Sequence, residues 1–161
     1  MYPDKRLCTV CEPVEAVDDT VRGIWDEMLN AMYGMPGVGL AAPQIGVMLR
    51  LAVVDCSGTH NAPIRMANPE VIHASGKMNG LDEASPNLPG LSGKVVRPRA
   101  VTVRYMNEDG VVVEKDFVHL WATSVQHQID HLNGKLFVNH LSPVKRKMLL
   151  AKHAKNMKRR G

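Results

Sequence analysis

The sequence has 161 residues, enough for one domain that buries about two-thirds of the surface its unfolded chain exposes. Its 45% hydrophobic content is typical of a globular protein. Without a run of about 18 apolar residues or an export leader, it is expected to be cytoplasmic and not membrane-bound. The net charge of +4 is uneven, because residues 141–161 carry eight basic side chains and no acidic one.

The three cysteines are expected to be reduced thiols. Cys8 and Cys11 have C-x-x-C spacing, but no second pair follows that would complete a zinc ribbon. Cys56 leaves an odd number of cysteines, which argues against a disulfide scaffold.

The first two-thirds of the chain predicts one helix followed by strands. Apolar residues recur with helical period over residues 17–33, and Asp18, Asp19 or Thr20 can cap the start. Residues 50–55 indicate a buried strand, and a short strand is predicted near residues 67–72. A polar region rich in Gly, Ser, Pro and Asn covers residues 73–93. Residues 101–105 and 111–115, joined by the turn NEDG, predict a β-hairpin.

Two more helices are predicted after the hairpin. Residues 121–132 have an apolar stripe that indicates a helix buried on one side, with His127 and His131 on a different face. The last helix begins with Ser142 as N-cap and Pro143 at its first position. Segregated hairpins and helices indicate the α+β class. We expect residues 1–140 to form the domain core and residues 141–161 a basic C-terminal helix of the same domain.

The stretch HQIDH, residues 127–131, has the spacing of a metal-binding pair. Histidines four residues apart on a helix can reach one metal ion. In the motif H-E-x-x-H, the Glu after the first His is the general base. Here that residue is Gln128, whose carboxamide binds no proton at neutral pH.

Three segments together resemble the peptide deformylase family, the metallohydrolases that remove the formyl group from nascent chains. They are GVGLAAPQIG (37–46), EASPNLPG (83–90) leading to Arg97, and QHQIDHLNG (126–134). The resemblance runs from about residue 3 to the C-terminal helix. It implies antiparallel sheets around a central helix that carries the two His ligands. In that family a Cys in EGCLS is the third metal ligand, and the Glu of H-E-x-x-H deprotonates the metal-bound water.

The first of these motifs is intact. By the resemblance, Gly39 and Leu40 match the backbone that lines the substrate. Gln44 matches the side chain that polarises the formyl oxygen, as acyl hydrolysis requires. The alternative is a glycine turn with an incidental Gln.

The other two motifs are changed at catalytic positions. Ser85 stands where the family has its Cys ligand, and a serine hydroxyl is a poor metal ligand compared with a thiolate. Pro86 follows it and has no N–H to complete the oxyanion hole. Gln128 replaces the base. The sequence therefore predicts a deformylase-like protein with little or no deformylase activity, which binds formylated or related N-termini without cleaving them. The alternative is an impaired but real metal-dependent deformylase, or a hydrolase of another N-acyl amide.

The expected cofactor is a weakly held divalent metal (Fe, Ni or Zn), bound by His127 and His131 with Ser85 as a poor third ligand. The alternative is that the two histidines form a partly buried, hydrogen-bonded pair that holds no metal. Glu83 can complete a weak site or form a structural ion pair with Arg97, and the resemblance favours the ion pair.

The expected partners are nascent formyl-methionyl chains and the ribosome. The basic helix can dock on ribosomal RNA through phosphate contacts. The alternative is that its charge serves solubility alone.

Overall fold

The structure is a computed structural model that describes residues 1–35 and 37–161. In those residues the helices and strands are α1 (Asp19–Gly34), β1 (Gly39–Ala41), β2 (Leu51–Val54), β3 (Ile64–Ala74), β4 (Met78–Ala84), β5 (Ser92–Pro98), β6 (Ala100–Met106), β7 (Val112–Val118), α2 (His119–Leu132) and α3 (Pro143–Arg160). Short 3-10 turns cover Lys5–Cys8, Ala42–Ile45 and Phe137–His140. The predicted α+β class is confirmed.

The strands form one five-stranded antiparallel sheet and one separate hairpin. The sheet has the order β1-β2-β3-β6-β7, and β4 pairs only with β5. The predicted hairpin of β6 and β7 is present, with Val101 opposite Phe117. The β4–β5 pair places Glu83 opposite Gly93, so residues 85–91 form the loop at its tip.

Two helices pack on opposite faces of the large sheet. Strand β2 is buried at all four positions, because Ala52 and Val54 face α2 while Leu51 and Val53 face α1. Trp25 on α1 is fully buried in the apolar cluster that contains Leu51 and Val53. Asp18 caps α1, its carboxylate accepting a hydrogen bond from the Val21 N–H.

Two predictions of local structure are wrong. The polar region 73–93 contains the whole of β4, whose alternation is weak because its side chains are mostly exposed. Helix α2 is not buried on one side only. The sheet covers one face and β5 approaches another, so Thr123, Ser124 and both histidines are also buried.

The basic helix α3 packs through Leu149 and Leu150 against a third apolar cluster, separate from the two that lie on either face of β2. Ser142 caps it as predicted, accepting from the Lys145 N–H. The buried His153 donates its Nε2–H to the backbone oxygen of Tyr2 at 2.9 Å. This hydrogen bond connects α3 to the start of the chain. Most of the basic side chains of α3 are exposed to solvent.

Within the described residues, no helix is both long enough and apolar enough to cross a membrane.

Candidate active site

A cleft of about 270 Å³ opens between β1, the end of β4 and α2. The three motif segments of the sequence meet here, although they lie far apart along the chain. Residues from all three line it, among them Gly39, Gln44, Glu83, Pro86, His127 and Gln128.

The two histidines converge at the floor of this cleft. They lie one turn apart on α2, and their Nε2 atoms are 3.0 Å from each other. His127 Nδ1 lies 2.8 Å from Glu83 Oε1 and donates its hydrogen to that carboxylate, which leaves the His127 Nε2 lone pair facing His131. Burial is the main cause that holds the pKa of His131 well below its usual range, and the neighbouring His127 and the charge of Arg97 lower it further. The His131 ring is therefore neutral at pH 7.

A chain of charged hydrogen bonds holds the His127 ring in place on the side of Nδ1. Arg97 donates from Nε and Nη2 to the two oxygens of Glu83, at 2.7 and 2.9 Å, and both side chains are 5% exposed. Its Nη1 donates to Asp130 Oδ2 at 2.8 Å, which also receives a hydrogen bond from His140. Burial would raise the pKa of Glu83, but the hydrogen bonds from His127 and Arg97 lower it to about 2. Glu83 is ionised and structural, which confirms the predicted ion pair with Arg97.

Ser85 lies in a closed ring of hydrogen bonds with Gln44 and Asn87. Gln44 Nε2 donates to Asn87 Oδ1 at 2.8 Å and to Ser85 Oγ at 3.3 Å. The Ser85 hydroxyl donates to the same Asn87 oxygen at 2.9 Å. Gln44 Oε1 accepts from the backbone N–H of Ala41. The ring therefore engages the Ser85 hydroxyl and one hydrogen of the Gln44 amide, which Asn87 Oδ1 and Ser85 Oγ share.

Gln128 lies between β1 and the histidines. Its Oε1 is buried and has no hydrogen-bond partner among the residues the structure describes. Its Nε2 lies so close to β1 that a Cβ on Gly39 would be 2.4 Å away, and 2.5 Å from Ser124 Oγ. A side chain at position 39 would therefore force Gln128 or Ser124 to shift.

Pro86 lies exposed at the wall of the cleft, directly after Ser85. The turn that follows is closed by the Leu88 N–H, which donates to the Ser85 carbonyl at 3.0 Å. Because proline has no N–H, the backbone offers no donor to a ligand at this position.

Comparison with known proteins explains this arrangement. The family model for polypeptide deformylase matches residues 1–147. The chain belongs to the peptide deformylase family. It is 46% identical over 157 residues to the peptide deformylase of Hydrogenovibrio crunogenus, covering 98% of this chain and 92% of that protein.

Solved deformylase structures share the fold. The crystal structure of a peptide deformylase from Legionella pneumophila matches with a TM-score of 0.92 and 41% identity, covering 99% of this chain and 94% of that one. The Ehrlichia chaffeensis enzyme in complex with actinonin matches with a TM-score of 0.91 and 33% identity, covering 97% and 94%.

The deformylase family is metal-dependent, but the residues present here do not fit a cation held by three protein side chains. His127 and His131 supply two nitrogen donors. At the third position the Ser85 hydroxyl is 6% exposed and engaged with Asn87 and Gln44. Both oxygens of Glu83 are occupied by Arg97. Over residues 1–35 and 37–161, no three His, Cys, Asp or Glu side chains are grouped so that they could hold a metal ion.

Most of the predicted site residues come together in the cleft. Gly39, Gln44, Pro86, His127 and Gln128 line it, and the buried His131 and Ser85 lie directly beside lining residues. Leu40 differs, because its side chain is buried in the cluster around α1. Its backbone pairs with Val53 in the sheet, and Leu40 is not among the residues that line the cleft.

Sequence reasoning missed the roles of three residues. Asn87 is the common acceptor for Gln44 and Ser85, and Asp130 extends the ion pair of Arg97. Ser124 lies one helical turn before Gln128 and borders the cleft. Ser124 could have been predicted from its helical spacing, because it lies four residues before Gln128 on α2. Nothing in the sequence indicates that Asn87 contacts Gln44 across 43 residues.

Proposed function

We propose that this protein keeps the deformylase cleft as a binding site for formyl-methionyl N-termini but hydrolyses them little or not at all. The observation that carries the proposal is the chemistry of position 128. A neutral carboxamide lies beside the histidine pair, where the family has the carboxylate base.

Among the described residues on the cleft, no other side chain is suited to take over as base. Glu83 is paired with Arg97 and accepts a hydrogen bond from His127, and its pKa of about 2 makes it a weak proton acceptor. Asp82 lies at the mouth of the cleft, exposed, and points to the face of β4 opposite to Glu83. Loss of a positioned general base costs about 10²- to 10⁴-fold in rate.

The oxyanion donors are weakened as well. Pro86 supplies no N–H, and the Gln44 amide nitrogen already donates toward Asn87 and Ser85. Each lost donor typically costs about 10²- to 10³-fold in rate, although losses within one catalytic unit do not simply add. We propose further that any Fe, Ni or Zn ion is held weakly, through His127 and His131, with Ser85 contributing little.

The shape of the cleft supports retention of a peptide ligand. Gly37, Val38 and Gly39 line one wall of the cleft, which has a volume of about 270 Å³. The Ehrlichia chaffeensis relative was crystallised with actinonin, and its fold superposes with a TM-score of 0.91. Actinonin is therefore a suitable probe of whether this cleft still accepts a deformylase ligand.

The second candidate is an impaired but real hydrolase of formyl-methionyl or other N-acyl peptides. The 46% identity to a curated peptide deformylase over nearly the whole chain favours it. The two candidates differ in turnover and not in binding, so one pair of measurements separates them.

The decisive experiment measures metal content, binding and turnover on the same preparation. Protein purified without oxygen is analysed for metal, titrated calorimetrically with formyl-Met-Ala-Ser, and assayed for formate release. We expect binding with less than stoichiometric metal and little formate. Stoichiometric metal with fast turnover would contradict the proposal and establish the second candidate.

A reversion set provides the matched test. Ser85→Cys, Pro86→Leu and Gln128→Glu together return the family residues at the three positions that carry the catalytic groups. We expect metal content to rise and formate release to become measurable, because the rest of the cleft is retained. If the triple variant binds metal and peptide but releases no formate, the loss of activity has another cause.

We also propose that α3 docks on the ribosome and that the protein acts in the cytoplasm, on chains as they emerge. Eight basic side chains without an acidic one support this, since phosphate contacts need clustered Lys and Arg. Binding to purified ribosomes should weaken steeply with salt and with Lys152→Gln, Lys155→Gln and Lys158→Gln combined. The same number of Lys→Gln changes at Lys77, Lys94 and Lys115, outside α3, is the control. If both sets of changes weaken ribosome binding equally, binding depends on the net charge of the protein and not on α3, which contradicts the proposal.

A further inference from the structure

The Gln128 amide lines the cleft, and its two ends lie in different surroundings. Gln128 is 4% exposed, and its Oε1 is fully buried without a hydrogen-bond partner among residues 1–35 and 37–161. Its Nε2 lies at the other end of the amide, against β1, 2.4 Å from the position that a Gly39 Cβ would take. Nε2 is not fully buried, and it forms no hydrogen bond within the same part of the chain. The atom that Gln128 presents to the cleft is therefore an amide nitrogen with unpaired hydrogens.

This orientation of the amide follows from the cost of burial. Exchanging the oxygen and the nitrogen would place both hydrogens of the NH2 group at the buried end, where the described residues offer no hydrogen-bond partner. Buried N–H groups without an acceptor are rarer in proteins than buried carbonyl oxygens without a donor. The nitrogen therefore belongs at the end that faces the cleft.

The acceptors nearest to the histidines are engaged by the protein itself. Glu83 receives three hydrogen bonds, two from Arg97 and one from His127 Nδ1. The Nε2 lone pair of His127 faces His131 at 3.0 Å. A ligand group that brings only hydrogens finds these acceptors occupied.

A carbonyl oxygen is the ligand group that fits an unpaired amide nitrogen. The formyl oxygen of a formylated N-terminus accepts hydrogen bonds, whereas the ammonium of an unformylated one only donates them. In the family pattern, position 128 carries a carboxylate, which only accepts when it is ionised. The change to Gln128 therefore converts an acceptor into a donor at this point of the cleft.

We propose that Gln128 Nε2 binds the carbonyl oxygen of an N-acylated chain end and makes the cleft select acylated over unmodified N-termini. The inference rests on the proposed function, because it names the group by which the cleft recognises its ligand. It gives position 128 a binding role in place of the lost proton transfer.

The first test compares two peptides that differ only in the formyl group. Formyl-Met-Ala-Ser and Met-Ala-Ser are titrated calorimetrically into the unmodified protein and into Gln128→Met, which keeps the length of the side chain and removes its N–H donors. We expect the unmodified protein to bind the formylated peptide at least tenfold more tightly than Met-Ala-Ser. Gln128→Met should lose about tenfold in affinity for the formylated peptide and change little toward the other, since one net hydrogen bond is lost.

Gln126→Met is the matched control for this substitution. Gln126 lies on the same helix outside the cleft and donates to the Pro98 carbonyl at 2.9 Å. The control should leave both affinities unchanged. Gln128→Met should unfold at no lower urea concentration than the unmodified protein, because it removes a buried oxygen that has no donor.

The second test observes the Gln128 amide directly and needs no variant. The chain has three glutamines, so the side-chain NH2 resonances of ¹⁵N-labelled protein are few and are assigned by triple-resonance spectroscopy. Formyl-Met-Ala-Ser should move one Gln128 hydrogen resonance downfield, and Met-Ala-Ser at the same concentration should not. If the formylated peptide binds and the Gln128 resonances do not move, the donor is another group and the proposal is overturned.

The outcomes separate this inference from the proposed function. Equal affinity of Gln128→Met and the unmodified protein for the formylated peptide would show that Gln128 is not the donor, while the binding function stands. Binding of both peptides with equal affinity would overturn the selectivity and again leave the binding function intact. If neither peptide binds to the unmodified protein, the proposed function fails, and this inference fails with it.

Discussion

Removal of the Arg97 guanidinium is expected to be the most destabilising single change near the cleft. Arg97→Met keeps the aliphatic stem that packs between β5 and α2 but removes three charged hydrogen bonds. Two of them go to Glu83 and one to Asp130, at 2.7 to 2.9 Å. The Glu83 carboxylate is 5% exposed, so water cannot replace the lost partner.

The expected cost follows from the charge that is left behind. Breaking a buried ion pair by removing one partner typically costs about 3 to 5 kcal/mol. Against a total unfolding free energy of about 5 to 15 kcal/mol for an ordinary domain, this is a large fraction. Adding Glu83→Gln to Arg97→Met should recover part of the loss, because the buried charge disappears with its partner.

Urea unfolding followed by circular dichroism measures these free energies. The matched control is Arg104→Met, which removes an exposed arginine paired with Glu114 and Glu70. Exposed pairs contribute about 0.2 to 1 kcal/mol, so the control should change little. If Arg97→Met costs no more than Arg104→Met, or if the double variant is as unstable as the sum of the single changes, the buried-charge argument is refuted.

The remaining predictions concern the wall of the cleft, helix α1 and the loop after β2. Gly39→Ala should lower the unfolding free energy by about 1 to 3 kcal/mol in the same assay, because its Cβ would lie 2.4 Å from Gln128 Nε2. Gly23→Ala, with nothing within 4 Å on α1, should raise it by about 0.5 to 1 kcal/mol. Tyr33→Phe should cost about 1.5 to 3 kcal/mol, because Tyr33 donates a 2.6 Å hydrogen bond to the buried Asp55 carboxylate. Burial raises the pKa of Asp55, but its hydrogen bonds outweigh burial and hold the pKa below the ordinary 3.8. Its stabilisation is therefore complete above that pH and lost below it, and Asp55→Asn should flatten the acid limb of a stability-pH curve.

The sequence predicted the elements whose pattern depends on local spacing. Helix α1, with its cap at Asp18, and the β6–β7 hairpin follow from periodicity and turn chemistry. Strand β4 was missed because a hairpin packed at the edge of the fold exposes most of its side chains. The burial of α2 on more than one face was missed because its second cover comes from β5, about 25 residues away.

The site was predictable where a residue stands inside a recognisable motif, and less so where it acts through a partner. His127 and His131 follow from spacing alone, and Ser85 and Gln128 from comparison with the family pattern. The capture of Gln44 by Asn87 depends on how the β4–β5 tip approaches the turn after β1. That approach is a tertiary contact, and no local rule specifies it.

The substitutions at positions 85 and 128 are consistent with each other electrostatically. In the family pattern, both positions carry groups that are negative beside a cation, a thiolate and a carboxylate. Buried negative charge without a cation is costly, so replacing only one of the two would leave the other poorly compensated when metal is lost. Here both are neutral, and the one buried carboxylate nearby, Glu83, has its own cation in Arg97. We therefore expect this cleft to stay folded without a metal ion more easily than a site that keeps one anionic ligand.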